Sequence, residues 1–391
     1  MTGRIVVVGA SIAGLTVAET LRQEGFAGEI VLVGDEPHLP YTRPPLSKQI
    51  LMGEWEPADA AIRTAAELDG LDIQVRTGCT AIGLDVAART VHTTDGALAY
   101  DEVVIATGTE PRRHPTLPGA LMLRTMDDAV ALRQRLRSAR RVAVVGSGIL
   151  GSEIASAARK HDADTLLIGR SGALGFGGVG TLLSKELIRL HEEHGVELAL
   201  HTEIESMDAS ASGTSHLRLV GGGERAADLV VAMIGGSPRV AWLSGAGLDL
   251  ADGVVCDVVG RAVPGVWAVG DVAAWTDPAT GAPRRIEHQS YAIEQALSVA
   301  LRLAHGAESP APVPLFWSEI HGTRIQSYGW FDTTRPLADI TGDDDARGRL
   351  YGSHDDDGEL RGVVGWNATP RAFRAARAAI HIPAAPITAA L

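Results

Sequence analysis

The sequence predicts an α/β protein with two nucleotide-binding units and a smaller third domain, and three observations carry the prediction. The first is a glycine-rich turn, Gly9-Ala10-Ser11-Ile12-Ala13-Gly14, directly after an apolar, β-branched run. The second is the same arrangement in mid-chain, Gly146-Ser147-Gly148-Ile149-Leu150-Gly151. The third is Val269-Gly270-Asp271, far downstream and again behind an apolar run. A lone glycine fingerprint is weak evidence. Two of them, each between a buried strand and a helix, imply a protein that brings two dinucleotides together, and electron transfer through a flavin is the obvious use.

Ile5-Val6-Val7-Val8 reads as a strand buried on both faces, because its apolar residues run without alternation. Ile12, Leu15, Val17, Ala18 and Leu21 then lay an apolar stripe along a helix over 12–24. Glu29 to Val33 is the second parallel strand, closed by Gly34-Asp35-Glu36. Prolines between Pro37 and Pro45 interrupt regular structure before Leu46-Ser47-Lys48. A strand over 100–106 ends at Thr107-Gly108. The pattern then restarts: strand 141–145, the second glycine turn, helix 152–160 and strand 165–168. A helix over 181–194 turns Leu182, Leu183, Leu187 and Leu190 inward, a strand at 229–234 closes the inserted unit, and Val266 to Val269 returns to the first. Helical character resumes over 288–304.

From about Ser309 the composition shifts to short alternating runs at 324–330, 349–351 and 360–366. Acidic turns at Asp343-Asp344-Asp345 and Asp355-Asp356-Asp357 separate them, which predicts a small antiparallel sheet. A closing helix over 370–380 accepts Pro370 in its first turn. The expected architecture is two Rossmann-like domains, one inserted in the other, plus a small C-terminal α+β domain. Residues 1–110 with 240–308 form the FAD-binding domain in this reading, 111–239 the NAD(P)H-binding domain and 309–391 the C-terminal interface domain.

At 391 residues the chain exceeds the size of a single core, so several domains are required. A net charge of -13 excludes bulk electrostatic attraction to nucleic acid or an anionic membrane, though not a local basic patch. Cys79 and Cys256 offer no CxxC redox pair, iron–sulfur ligand set or cysteine-rich zinc site, and read as free thiols. No apolar stretch is long enough to cross a membrane, and the opening run is a strand rather than a signal peptide, so a cytoplasmic enzyme is expected.

The fingerprints define the candidate site. Glycine at the turn lets the backbone approach a pyrophosphate, and the helix N-terminus supplies unpaired amides and partial positive charge. The first fingerprint reads GxSxxG, with Ser11 at the middle position. Asp35 or Glu36 stands where a carboxylate accepts hydrogen bonds from a ribose diol, and Glu36 is preferred; a solvated acidic turn is the bland alternative. The second fingerprint is a full GxGxxG, yet its second strand ends in Gly169-Arg170-Ser171 with no carboxylate. Arg170 and Ser171 suit a 2′-phosphate, which leaves NADH and NADPH both open; an ordinary surface arginine is the alternative. The glycine-rich run from Gly172 to Gly178 reads as a mobile loop over the nicotinamide nucleotide or as a plain linker. Asp271 can accept a hydrogen bond from a ribityl hydroxyl, beside Gly270.

On these residues the chain resembles the FAD-dependent ferredoxin reductases that serve cytochromes P450 and Rieske oxygenases, within the glutathione-reductase-like fold. The resemblance covers nearly the whole chain and rests also on Leu39-Pro40-Tyr41-Thr42-Arg43-Pro44-Pro45-Leu46-Ser47-Lys48, Ala106-Thr107-Gly108, Glu287 with Gln295, and Phe316-Trp317-Ser318-Glu319. It implies that Arg43 contacts the FAD phosphates, that Lys48 lies near the isoalloxazine and pairs with Glu153, and that Pro45 packs by the ring. It further implies that Asp271 holds the ribityl chain and that Trp317 lies where the C-terminal domain meets the flavin. Three departures fall on the nicotinamide side. The family's acidic residue after the second nucleotide strand is replaced by Gly169-Arg170, its arginine further along that loop has no counterpart, and its tryptophan after Glu287 is His288.

The implied reaction passes hydride from NADH or NADPH to the flavin, and then electrons singly to a small acidic [2Fe-2S] ferredoxin serving a P450 or other oxygenase. No side-chain nucleophile is needed, so the 13 histidines suggest no catalytic set. An acidic ferredoxin needs a local positive area, and Arg371, Arg374 and Arg377, recurring every third residue, offer one that Arg361 extends. Two alternatives stand beside this reading: a stand-alone FAD-dependent oxidoreductase acting directly on a small molecule, and a non-catalytic FAD-binding protein.

Overall fold

A computed structural model describes residues 3–209, 213–278, 280–306, 312–342 and 348–380. The first unit contains β1 (Arg4–Val8), α1 (Ile12–Gln23), β2 (Glu29–Val33), β3 (Ile73–Arg76) and β4 (Glu102–Ile105). The second contains α2 (Met126–Leu136), β5 (Arg141–Val145), α3 (Ile149–Lys160), β6 (Asp164–Ile168), α4 (Ser184–Glu193), β7 (Val196–Ala199) and β8 (Leu229–Ala232). The chain then returns through β9 (Arg261–Val263), β10 (Val266–Ala268) and α5 (Gln289–His305). It ends in β11 (Leu315–Ile320), β12 (Thr323–Gly329), β13 (Ala338–Asp339), β14 (Arg349–His354), β15 (Leu360–Trp366) and α6 (Pro370–Ala378).

β1 lies at the centre of a six-stranded sheet ordered β9-β10-β4-β1-β2-β3. Its neighbours β2 and β4 are both parallel to it, so Val6 and Val7 are wholly buried and an unbroken apolar run is what the position demands. β10 joins beside β4, which carries residues from after the second unit into the first sheet. The second sheet repeats the plan on four strands, β7-β6-β5-β8, all parallel. The last sheet is antiparallel, ordered β11-β12-β15-β14-β13, with α6 against β15.

The cores are shared between sequence-distant segments. Leu46, Ile50 and Leu51 from the proline-flanked segment pack with Ile154, Leu187 and Val144 of the second unit and with Ile320, Ile325 and Val364 of the last sheet. That common core fixes the C-terminal sheet against α3.

The fold class is as the sequence predicts: two Rossmann-like units and a small α+β domain. Boundaries differ in instructive places. α3 begins at Ile149 rather than 152, because Gly148 is extended and acts as its N-cap, so the last residues of the fingerprint already wind into the helix. α4 starts at Ser184 rather than 181, after a turn in which Ser184 N–H bonds to Thr181 carbonyl. β14 runs on to His354, beyond the expected 351, because it pairs with β15 along its full length. The Asp343-Asp344-Asp345 turn lies outside the described residues.

Candidate functional site

The two glycine turns are built alike. Gly9 has φ +124°, and a Cβ there would lie 2.1 Å from the Ala106 carbonyl oxygen at the end of β4. Gly146 has φ +131°, and its Cβ would lie 2.0 Å from the Met233 carbonyl oxygen just past β8. Each turn therefore closes over the end of the adjacent strand, a position only glycine can occupy. At Gly148, by contrast, an added Cβ meets nothing within 4 Å, so the backbone there faces open space. Ser11 N-caps α1 with its side chain making no capping bond, which leaves the first-turn amides to another acceptor.

One cleft runs from the first turn toward the second. Its outer end is walled by Gly9, Ala10, Gly34, Glu36, Cys79 and Trp242. Its inner end, a cavity of about 300 Å³, is walled by Ser11, Ile12 and Ala13 on one side and by Ile149, Leu150 and Glu153 on the other. Arg43, Ala106 and Thr107 line both ends, and Gly108, Gly270, Asp271 and Trp317 line the inner one. Both fingerprint helices thus present their N-terminal residues to a single space.

Charge is distributed along this cleft in opposed pairs. Glu36 accepts hydrogen bonds from Arg43 Nη2 at 2.6 Å and from the Tyr41 hydroxyl at 2.5 Å. Asp35 instead pairs with Arg239 at 2.7 Å; burial works against its ionisation, yet the Arg239 hydrogen bond and charge hold its carboxyl below the usual range. Arg43 also donates to the Arg124 carbonyl, and the Arg124 guanidinium lies 3.2 Å from Asp271. Burial, with Asp271 opposing and Arg43 adding to it, pulls Arg124 down from the ordinary arginine value. Two half-buried guanidiniums, an uncapped helix N-terminus and a glycine cradle in one cleft fit the pyrophosphate of a bound dinucleotide. Arg124 is invisible in the sequence, where it merely precedes the N-cap of α2. Gln295 Oε1 accepts the Gly270 N–H at 2.9 Å and braces the Gly270-Asp271 turn from α5.

The inner end holds a buried ion pair. Lys48 Nζ lies 2.7 Å from Glu153 Oε1, and its ammonium sits 5.3 Å from the Trp317 ring centroid. The Ser47 and Ser318 hydroxyls both donate to the Glu153 carboxylate. Pro44 lines the cavity, whereas Pro45 is buried and is not on its wall. His288 caps α5 by accepting the Ser290 N–H, and packs 4.6 Å from Phe316. Burial pushes its pKa down to about 4, so it is a neutral wall residue rather than a proton donor at neutral pH.

On the nicotinamide side the structure separates the remaining candidates. Gly146 and Gly151 pack backbone to backbone, Ile149 and Leu150 line the cleft, and Gly148 is exposed with open space beside it. Arg170 is 85% exposed and 3.9 Å from Glu203, and Ser171 is exposed with its Oγ accepting the Ala173 N–H. His201, which the sequence did not single out, packs its imidazole against Gly172 beside them. Within the glycine-rich run Leu174 and Phe176 are buried, with the Phe176 ring 4.8 Å from Phe316 on the last sheet, while Gly177 and Gly178 are exposed.

Away from the cleft, Arg371, Arg374 and Arg377 are exposed on α6, with Arg377 stacked 4.0 Å over the Tyr328 ring. Arg361 is less available than expected, since it pairs with Asp355 at 3.3 Å. Both cysteines are free and buried, and burial raises the Cys256 thiol to about 12, so neither supplies a redox disulfide.

Comparison with known proteins agrees with this geometry. The family model for pyridine nucleotide-disulphide oxidoreductases matches residues 3–296. Among curated proteins, rhodocoxin reductase of Rhodococcus erythropolis is 33% identical over 331 residues, covering 83% of this chain and 78% of that one. The ferredoxin–NAD(+) reductase component of the p-cumate 2,3-dioxygenase system of Pseudomonas putida is 36% identical over 334 residues, covering 83% and 81%. Among solved structures, the covalent putidaredoxin reductase–putidaredoxin complex superposes with a TM-score of 0.88 at 28% identity, over 96% of this chain and 92% of that one.

Proposed function

The chain belongs to the pyridine nucleotide-disulphide oxidoreductases and, within them, to the FAD-dependent ferredoxin reductases of the putidaredoxin and Rieske-oxygenase type; from that membership we propose how its own residues do the work. It is an NAD(P)H:ferredoxin oxidoreductase that moves electrons from a reduced nicotinamide, by way of FAD, to a small ferredoxin. The observation that carries the reading is the single cavity walled by both fingerprints. When bound, FAD supplies the chemistry of accepting a hydride and releasing electrons one at a time. The protein supplies orientation and electrostatics.

In this proposal Gly9, Ser11, Ile12, Ala13 and Gly14 cradle the FAD pyrophosphate with Arg43, and Arg124 joins them. Glu36, with Asp35 beside it, receives the adenosine ribose. Ala106, Thr107, Gly108, Gly270 and Asp271 line the ribityl segment, while Trp317 and Pro44 bound the ring and Pro45 supports them from behind. Lys48, held by Glu153, presents positive charge to the flavin. Gly146, Gly148, Ile149, Leu150 and Gly151 hold the nicotinamide dinucleotide, with Arg170 and Ser171 at its adenosine ribose. The division into 1–110 with 240–308, 111–239 and 309–391 goes with this assignment. The α6 arginines are the docking patch for an acidic [2Fe-2S] ferredoxin that serves a P450 or other oxygenase.

Stopped-flow mixing of the FAD-loaded protein with NADH and with NADPH, followed at the flavin absorbance, tests the first half. Ferredoxin-dependent reduction of cytochrome c tests the second. Rapid bleaching by at least one donor and a strict requirement for ferredoxin are expected. A protein that bleaches with neither donor, or that reduces a small quinone without ferredoxin at the full rate, sinks the proposal.

A further inference from the structure

Glu153 receives more donors than a simple ion pair needs. Lys48 and Ser318 both reach Oε1, and Ser47 reaches Oε2. All four residues are buried: Lys48 at 5% exposure, Glu153 at 7%, Ser47 at 4% and Ser318 at 0%. The donors come from two distant segments, the proline-flanked turn and β11, and converge on a carboxylate offered by α3 of the second unit. A buried charge pair is costly unless further hydrogen bonds complete it, and two hydroxyls complete this one. Completion has an electrostatic consequence. A carboxylate already satisfied by two hydroxyl hydrogens draws less on the ammonium, which stays beneath Trp317 at the cavity wall.

We propose that Ser318 and Ser47 are positioning residues, whose hydroxyls saturate Glu153 so that the charge of Lys48 is directed into the flavin cavity. The inference rests on the FAD reading above. Replacing either serine by alanine removes a hydroxyl hydrogen that offsets the negative charge of the Glu153 carboxylate, and leaves that carboxylate to close more tightly on Lys48. Both changes make the cavity less positive, which disfavours the added electrons of a reduced flavin.

The experiment is a redox titration of bound FAD in the intact protein with an indicator dye, for the wild type, S318A, S47A, S318T and E153Q. The midpoint potential is expected to move negative in S318A and S47A and positive in E153Q, where the counter-charge is lost. S318T keeps the hydroxyl and is expected to return toward the wild type. A purely structural role for the serines would lower thermal stability without these opposed shifts. Should S318A fail to fold, S47A carries the same test from the other side of the carboxylate. Potentials of S318A and S47A that coincide with the wild type, or that move the same way as E153Q, would overturn the inference. A wild-type protein that takes up no FAD defeats the cofactor reading itself, and that result is distinct from flavin-loaded variants with unmoved potentials.

Discussion

Glycine substitutions separate the roles of individual residues in the two fingerprints. Gly9→Ala forces a side chain into a left-handed backbone and to 2.1 Å from the Ala106 oxygen. The turn must open, with a cost of several kcal/mol by about the scale of overpacking plus backbone strain. Gly148→Ala places its methyl in free space at an ordinary extended φ of -85°. The expected outcome is that G9A purifies unstable and flavin-poor, whereas G148A keeps its FAD and its melting temperature but loses nicotinamide binding. Equal FAD content and equal KM for NAD(P)H in the two variants would contradict the assignment. Arg170 allows a second residue-level test. If it pairs with a 2′-phosphate, Arg170→Glu raises KM for NADPH by about tenfold or more, the scale of one charge-assisted hydrogen bond, and leaves KM for NADH unchanged. Parallel changes for both donors would make it a plain surface arginine. How much of this was legible in the sequence differs by residue. The glycine turns, Glu36 and Asp271 are local signals, set by a strand end and a tight turn. Arg124, Arg239, Ser47 and Ser318 reach their partners only through tertiary packing, so no spacing rule could have found them.

At the scale of elements, the β11–β12 hairpin fastens the last sheet to the second unit. His321, at its turn with φ +49°, donates its backbone N–H to Ser156 Oγ at 2.8 Å. Its Nε2 lies 3.0 Å from His191 Nδ1, and its ring stacks 4.3 Å from His194, with Arg159 adding positive charge nearby. Burial first, then neighbouring positive groups, lower His191 to about 4 and His321 to about 3, against about 6.5 in an unfolded chain. A folded-state pKa below the unfolded one means the unfolded chain binds more protons in between. Stability is therefore fully present above pH ~6.5 and drains as pH falls toward about 4. The shift on buried His191 is worth on the order of 3 kcal/mol across that window. His288, also lowered to about 4 by burial, works in the same direction. His191→Phe is expected to lower the melting temperature modestly at pH 8 and to flatten its decline between pH 6.5 and 4. A decline as steep as in the wild type would remove the cluster from the account. The alternation over 324–330 predicts β12, but neither its partner β11 nor a histidine contact from their turn to α4 is signalled by the sequence. That contact depends on how the third domain is docked, which the pattern of one strand does not encode.

For the whole molecule, the net charge of -13 bears directly on the proposed docking of an acidic ferredoxin. Long-range repulsion between two acidic proteins slows encounter, and salt relieves it. A local patch of arginines does the opposite, since its attraction acts within a Debye length of about 10 Å at 0.1 M salt and fades as ions are added. The sign of the salt dependence therefore reports which field the ferredoxin meets. Arg371, Arg374 and Arg377 stand exposed on one helix, and the stacking of Arg377 on Tyr328 holds its guanidinium in place at little entropic cost. If α6 is the docking surface, the rate constant for ferredoxin reduction falls as ionic strength rises from about 10 to about 300 mM, over which the Debye length shrinks from about 30 Å to about 6 Å. In R371E/R374E/R377E the same rate constant starts lower and rises with salt, because only the global repulsion remains. NAD(P)H oxidation with a small neutral acceptor is unaffected in that variant, since α6 lies outside the cleft. A wild-type rate that rises with salt, or a triple variant whose salt dependence keeps the wild-type sign, would move the docking surface elsewhere on the molecule.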